Sequence, residues 1–277
     1  MRSSESGERV TLPFRHIFFV SDLEGVAGVT QWSQTRGGGP EQERARALLT
    51  GEINAVVHGL LRRADAFGGS LRISVWDGHG TGGTHLQELD PRVDKFRHDD
   101  PRGFGGVLEA LRGADVPADA LGFIGQHAME GTGGNLAHTY SSRRVKMHTL
   151  NGVPIGEFGT RALHAWALGL PTVFFSGDDV ACREAASLVP GLVHVVVKRS
   201  ICVTDADSLS HEESCRLLAD CAARILALRP NAPELVPQDL PAPPYEYRQL
   251  RRRKWGIVPT PTRIARGDDL AEVLRSV

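Results

Sequence analysis

No apolar run in this chain approaches the length of a membrane-spanning helix, which excludes a spanning segment. Charge of one sign is missing too. The 32 basic and 33 acidic residues leave a formal net charge of −1, with no global pull toward nucleic acid or an anionic membrane. Cysteine is scarce, and Cys182, Cys202, Cys215 and Cys221 include no C-x-x-C pair, so neither a disulfide framework nor a zinc ribbon is indicated. Cys215 and Cys221 fall within one helical stretch and read as small buried hydrophobes. The opening "MRSSESGERVTLPF" is polar and has no hydrophobic signal core, so a cytoplasmic protein is the expectation.

What the chain does contain is an ordinary globular composition, 41% hydrophobic and 23% charged over 277 residues, enough to bury a core without disulfides or structural metal. Short apolar runs alternate with helical periodicity. "HIFFVS" (16–21), "LRISVW" (71–76), "ALGFIG" (120–125), "PTVFFSG" (171–177) and "LVHVVVK" (192–198) read as strands covered on both faces. Apolar residues at spacings of three and four predict a long helix over 41–67, ended by Gly68-Gly69, and shorter helices follow the later strands. Asn151-Gly152 between β-like flanks marks a hairpin, and Ser210 with Glu213 marks a capping box. The expected fold is α/β, a mostly parallel sheet flanked by helices with a smaller α+β C-terminal domain. The boundaries expected are a flexible tail at 1–14, an α/β metal-binding domain at 15–190 and the smaller domain at 191–277. The basic cluster Arg248, Arg251, Arg252, Arg253 and Lys254 reads as a solvated or subunit-facing surface rather than a nucleic-acid site.

Three of these strands run straight into groups that bind metals. The first is followed by Asp22 and Glu24, the second by Asp77 and His79, the third by His127 in "GFIGQHA". Ligands of an open α/β sheet bind beyond the carboxyl ends of its strands, so parallel pairing would bring these residues together. Carboxylate oxygen and imidazole nitrogen suit catalytic zinc, and their surplus suits two ions sharing a bridging carboxylate. Glu157, at the start of a helix, is a further candidate ligand, although an acid there also answers the helix dipole. Asp77 can instead bond its own turn, and Asp178 or Asp179 caps a helix. His85, His98, His148, His164 and His211 read as ordinary histidines.

Two families resemble this pattern. In haloacid-dehalogenase-like phosphatases an Asp nucleophile at a strand end is followed by a second acid. Asp22, Glu24 and "SGDD" (176–179) would fill those parts for a magnesium-dependent phosphatase, leaving His79 and His127 unexplained. The chain more fully resembles the M55 metallopeptidases, the D-aminopeptidases, over residues 17–228. The resemblance lies in "SDLEGVAG", "DGHG", "GFIGQHA", "AHTYS", "NGVPIGEFG", "FFSGDDVACREA" and "VVKRSI", in that order.

That second resemblance implies a zinc-dependent, aminopeptidase-like hydrolase of small peptides or related amides, including peptides with N-terminal D-residues. It implies two zinc ions per subunit: Asp22 bridging, Glu24 and His127 completing one site, His79 and Glu157 the other. It also implies a catalytic His138, as nucleophile, acid/base or oxyanion stabiliser, and a ring-like homo-oligomer such as a decamer. A non-catalytic, zinc-containing ring that binds peptides is the remaining alternative. "DGH" stands where the family has "DSH", and this loop and the segment 30–43 are expected to border the substrate pocket.

Overall fold

The first strand, β1 (His16–Ser21), is buried along its whole length, as a run with no polar face requires. The computed structural model of the protein describes residues 11–253 and 260–275. After β1 comes α1 (Pro40–Ala66), which begins with proline at its first turn and Glu41 and Glu43 near its N-terminus, both favourable there. Its buried stripe of Ala45, Leu49, Ile53, Val56, Val57 and Leu60 lies in the core. The chain continues through β2 (Arg72–Asp77), β3 (Val93–Phe96), α2 (Gly103–Arg112), β4 (Ala120–Gln126), β5 (Val145–Leu150) and β6 (Val153–Pro154). Next come α3 (Glu157–Ala167), β7 (Thr172–Asp178), α4 (Asp179–Leu188), β8 (Val193–Cys202), β9 (Asp205–Ser208) and α5 (His211–Ala222). The last elements are β10 (Tyr245–Arg251), β11 (Arg263–Gly267) and α6 (Leu270–Arg275).

Among the described residues, seven strands form the main sheet in the order β3-β2-β1-β4-β7-β8-β9. Every pairing in it is parallel except that of β8 with β9. The chain leaves β1 toward β2 and β3 on one side, then returns to place β4 on the other. The order therefore reverses between β1 and β4, and a crevice opens beyond their carboxyl ends. That crevice holds the candidate metal centre.

A second sheet, antiparallel in the order β11-β10-β5-β6, packs through Leu150 and Tyr247 against α3 and α6. It does not follow a division at residue 190, because β8 and β9 complete the main sheet and α5 packs along α1, while β5 and β6 belong to the small sheet. The tail expected at 1–14 lies outside the described residues up to position 10, and Phe14 is fully buried. Lys254 of the basic cluster also lies outside them. The strands β3, β9 and β11 carry too many polar residues to show as apolar runs. Among the described residues, no helix is long and apolar enough to cross a membrane.

Candidate metal centre

Asp22 and Glu24 come after β1 without belonging to it. The strand ends at Ser21, so strand alternation does not aim the two carboxylates; a turn does. Asp22 N–H donates to Ile124 O at 2.8 Å and Gly25 N–H to Gly125 O at 2.7 Å, which ties the turn to the end of β4. Only glycine fits there: a Cβ on Gly25 would lie 2.0 Å from Gln126 O, and one on Gly125, at φ +72°, would lie 2.2 Å from Asp22 O. Lys198, buried at the end of the parallel part of β8, donates from Nζ to Glu24 O, Val29 O and Asn135 Oδ1, bracing the same turn from below.

The five expected ligands and His138 all meet in this crevice, and all are buried. His79 Nε2 is 3.4 Å from Glu24 Oε1; His127 Nε2 is 3.4 Å from Asp22 Oδ2 and from Glu157 Oε1; His138 Nε2 is 3.9 Å from Glu157 Oε1. Ligand atoms of Asp22, Glu24 and His79 lie within 4.8 Å of one another, as do those of His127, His138 and Glu157. Proximity thus joins Glu24 to His79 and His127 to Glu157, a different partition from the one implied by resemblance, with Asp22 reaching both groups.

Two of the three imidazoles are held by backbone carbonyls and the third by a hydroxyl. His127 Nδ1 faces Ala128 O at 3.0 Å, His138 Nδ1 faces Leu136 O at 3.0 Å, and His79 Nδ1 faces Thr81 Oγ1 at 3.3 Å. Each backbone carbonyl takes the Nδ1 proton, leaving the Nε2 lone pair for the centre, the arrangement typical of metal-bound histidine. Gln126 donates to Asp22 Oδ2 at 2.6 Å. Among the described residues, His127 Nε2 and Glu24 Oε2 are nevertheless buried without a hydrogen-bond partner. Orphaned acceptors among carboxylates and imidazoles fit a cation, and the donor set of oxygen and nitrogen fits zinc.

The electrostatics agree. Burial opposes charge on Glu24, but His79 beside it, by charge and hydrogen bond, holds its carboxyl well below the usual range. Burial would lower His79, yet the Glu24 charge outweighs this and lifts it to about 9. Burial likewise opposes the His127 proton, and the Asp22 and Glu157 carboxylates facing Nε2 raise it. Glu157 resists burial through His127 and falls to about 2. Burial and then the Glu24 charge raise Asp22. His138 differs: burial and the neighbouring His127 charge both lower it, so its imidazole is neutral at pH 7.

The crevice opens into a cavity of about 730 Å³, bordered by Trp32, Thr35, Arg36 and the Gly78–Thr81 loop, as the two unusual segments led one to expect. Asp77 does bond its turn, accepting from Gly83 N–H at 3.0 Å. Asp178 caps α4 through Val180 and Ala181 N–H and Asp179 accepts from Ser200 N–H, so both acids of "SGDD" serve α4 and β8. The phosphatase pattern therefore loses its second acidic pair.

Residues 16–248 match the model of the M55 peptidases, described as D-aminopeptidase. This chain belongs to the M55 family. It is 27% identical over 256 residues to a D-aminopeptidase of Bacillus subtilis (strain 168), covering 91% of this chain and 88% of that one. Its fold matches the zinc-dependent D-aminopeptidase DppA of Bacillus subtilis, described as a self-compartmentalizing protease. The TM-score is 0.78, with 23% identity and 94% of each chain covered. The M55 blocks are thus the ones that converge. Gln126, Lys198, Tyr140 and Arg161 were not singled out by their sequence; a polar residue within or ending an apolar strand marks Gln126 and Lys198, whereas only the fold marks the other two.

Proposed function

We propose that this M55 chain is a zinc-dependent aminopeptidase that cleaves the amide bond of small peptides, including those with an N-terminal D-residue. One observation carries the reading: five buried ligand side chains and a neutral histidine turn their free atoms into one crevice at the sheet's switch point. Two zinc ions per subunit fit the surplus of donors, one among Asp22, Glu24 and His79, the other among Asp22, His127 and Glu157. Zinc held there supplies Lewis-acid polarisation of the scissile carbonyl and acidification of water.

The chain's own groups do the rest. Gln126 fixes Asp22, and backbone carbonyls fix His127 and His138. His138, with Nδ1–H bonded to Leu136 O, presents a free Nε2 that takes a proton from water and returns it to the leaving amine, so that amide and water become carboxylate and amine. The buried crevice limits competing water around these groups. Copies of the chain are proposed to assemble, as the description of the Bacillus relative suggests for that protein; light scattering tests this. Metal analysis should find close to two zinc per subunit. A screen of L- and D-aminoacyl amides and dipeptides should show hydrolysis that a chelator abolishes; zinc and peptide binding without turnover would leave the non-catalytic ring instead.

A further inference from the structure

Arg161 lies one helical turn beyond Glu157 on α3, its side chain in the wall of the catalytic cavity. The residue is 5% exposed, and its guanidinium carbon sits 5.3 Å from the rings of both Trp76 and Tyr140. Its Nη2 is 3.5 Å from Glu157 Oε2, a carboxylate already engaged by His127 and by the Tyr140 N–H. Among the described residues its Nε and Nη1 have no hydrogen-bond partner. Burial opposes its charge, and Tyr140 with the Glu157 and Asp22 carboxylates upholds the cation, yet these two donors stay unfilled.

Gly78 packs closely between β1 and the guanidinium. A Cβ at Gly78 would lie 2.7 Å from Ser21 O and 3.5 Å from Nη1, so the β1 backbone leaves no room for a side chain there. Among the described residues lining this cavity, the acids are the three of the metal centre, Asp22, Glu24 and Glu157, while Arg36 and Arg143 add positive charge. With the centre loaded, the cavity is electropositive and suited to an anion.

We infer that Arg161 anchors a carboxylate of the substrate immediately beyond the scissile amide, so that the enzyme selects free dipeptides over their amides. The inference rests on the hydrolase reading above. Consecutive residues are about 3.8 Å apart, so the carboxylate of a dipeptide lies within roughly that distance of its scissile carbonyl. Arg161 Nη2 lies 3.5 Å from Oε2 of Glu157, an expected ligand, so the guanidinium borders the centre. A planar guanidinium with unfilled donors is the group that recognises such a carboxylate.

The test compares an alanyl-alanine dipeptide, in its productive stereoisomer, with the same dipeptide amidated at its C-terminus. A glutamyl amide serves as the arm that moves the carboxylate to the acyl side. The expected result is a preference in kcat/KM for the free dipeptide of about tenfold or more, the scale of one hydrogen bond to a charged group. Arg161→Met should erase the preference by weakening the free dipeptide far more than its amide, with zinc content retained, and Arg161→Lys should restore part of it. Equal rates on acid and amide in the native protein, a preference confined to the glutamyl amide, or equal losses on both dipeptides in Arg161→Met would overturn the inference. Calorimetric titration with free alanine against alaninamide reads the anchor without turnover, with binding of alanine alone expected and equal binding of both opposing it. Absence of hydrolysis by the native protein would fail the hydrolase reading while leaving this binding measurement decisive for the anchor.

Discussion

His127 and His138 stack with ring centroids 4.0 Å apart and planes 16° from parallel, yet their proton affinities move in opposite directions. Without metal, the carboxylates of Asp22 and Glu157 face His127 and favour its cation against burial, whereas burial and then the His127 charge favour the neutral form of His138. On the proposed reading the pair divides the work between a zinc ligand and a proton carrier, although the two rings are chemically identical. His138→Ala should therefore lower kcat by about 10²–10⁴-fold, the range for a lost general acid–base group, while zinc content stays near that of the native protein. Loss of zinc parallel to activity would instead make His138 a ligand.

Zinc binding should release protons. Without metal, His79 holds its proton up to about 9 and His127 is also raised, so at pH 7 both are protonated, whereas a metal-bound imidazole is neutral. About two protons are expected per fully loaded subunit, read as the dependence of calorimetric enthalpy on the buffer's ionisation enthalpy. Affinity should rise with pH and flatten above about 9. In the zinc-free protein the sign reverses for stability: the raised His79 contributes below its unfolded value and loses that contribution as pH climbs through about 9.

Gln126→Leu removes the donor to Asp22 Oδ2 while keeping a side chain of similar volume. Zinc affinity should fall about 10- to 100-fold, the usual effect of losing a hydrogen bond that orients a ligand. Competition with a chromogenic chelator measures it, and unchanged affinity would remove Gln126 from the support of the centre.

Much of this arrangement was legible in the sequence because parallel strands deliver the residues at their carboxyl ends to one edge of the sheet. "HIFFVS" before Asp22 and "ALGFIG" before His127 announced both the strands and the crevice between them. Arg161 was not legible, since a lone arginine in a helix gives no sign of which face will be buried. The aim of Asp22 and Glu24 was not legible either, because the turn and not the strand sets it, through backbone bonds to Ile124 and Gly125. The extent of the small sheet was hidden as well. It joins β5 to β10 across about a hundred residues, and neither the polar β11 nor the two-residue β6 shows an apolar pattern.

That turn makes Gly25 a sharp probe. A methyl group at this position would sit 2.0 Å from Gln126 O, a backbone atom that cannot rotate away. Gly25→Ala should cost about 2 kcal/mol or more in urea unfolding and reduce zinc binding, because β1 and β4 must part where Asp22 and His127 converge. Full stability with full zinc content would mean that the close approach is dispensable.

Glu52 supplies a pH signature away from the ligands. It is fully buried on α1, accepts from Ser214 Oγ at 2.6 Å and Ala27 N–H at 3.0 Å, and leaves Oε2 without a partner. Burial lifts its carboxyl to about 7 despite those bonds and the nearby Lys198 charge. An acid whose folded value exceeds its unfolded one binds more protons in the fold, so stability falls as pH rises from about 4.5 to about 7 and is level beyond. The loss is on the order of 3 kcal/mol. Glu52→Gln keeps an acceptor for Ser214 and Ala27 but cannot ionise. Urea unfolding of both proteins across this window should show the variant gaining on the native chain as pH rises, and a constant difference between them would mean that Glu52 does not titrate there.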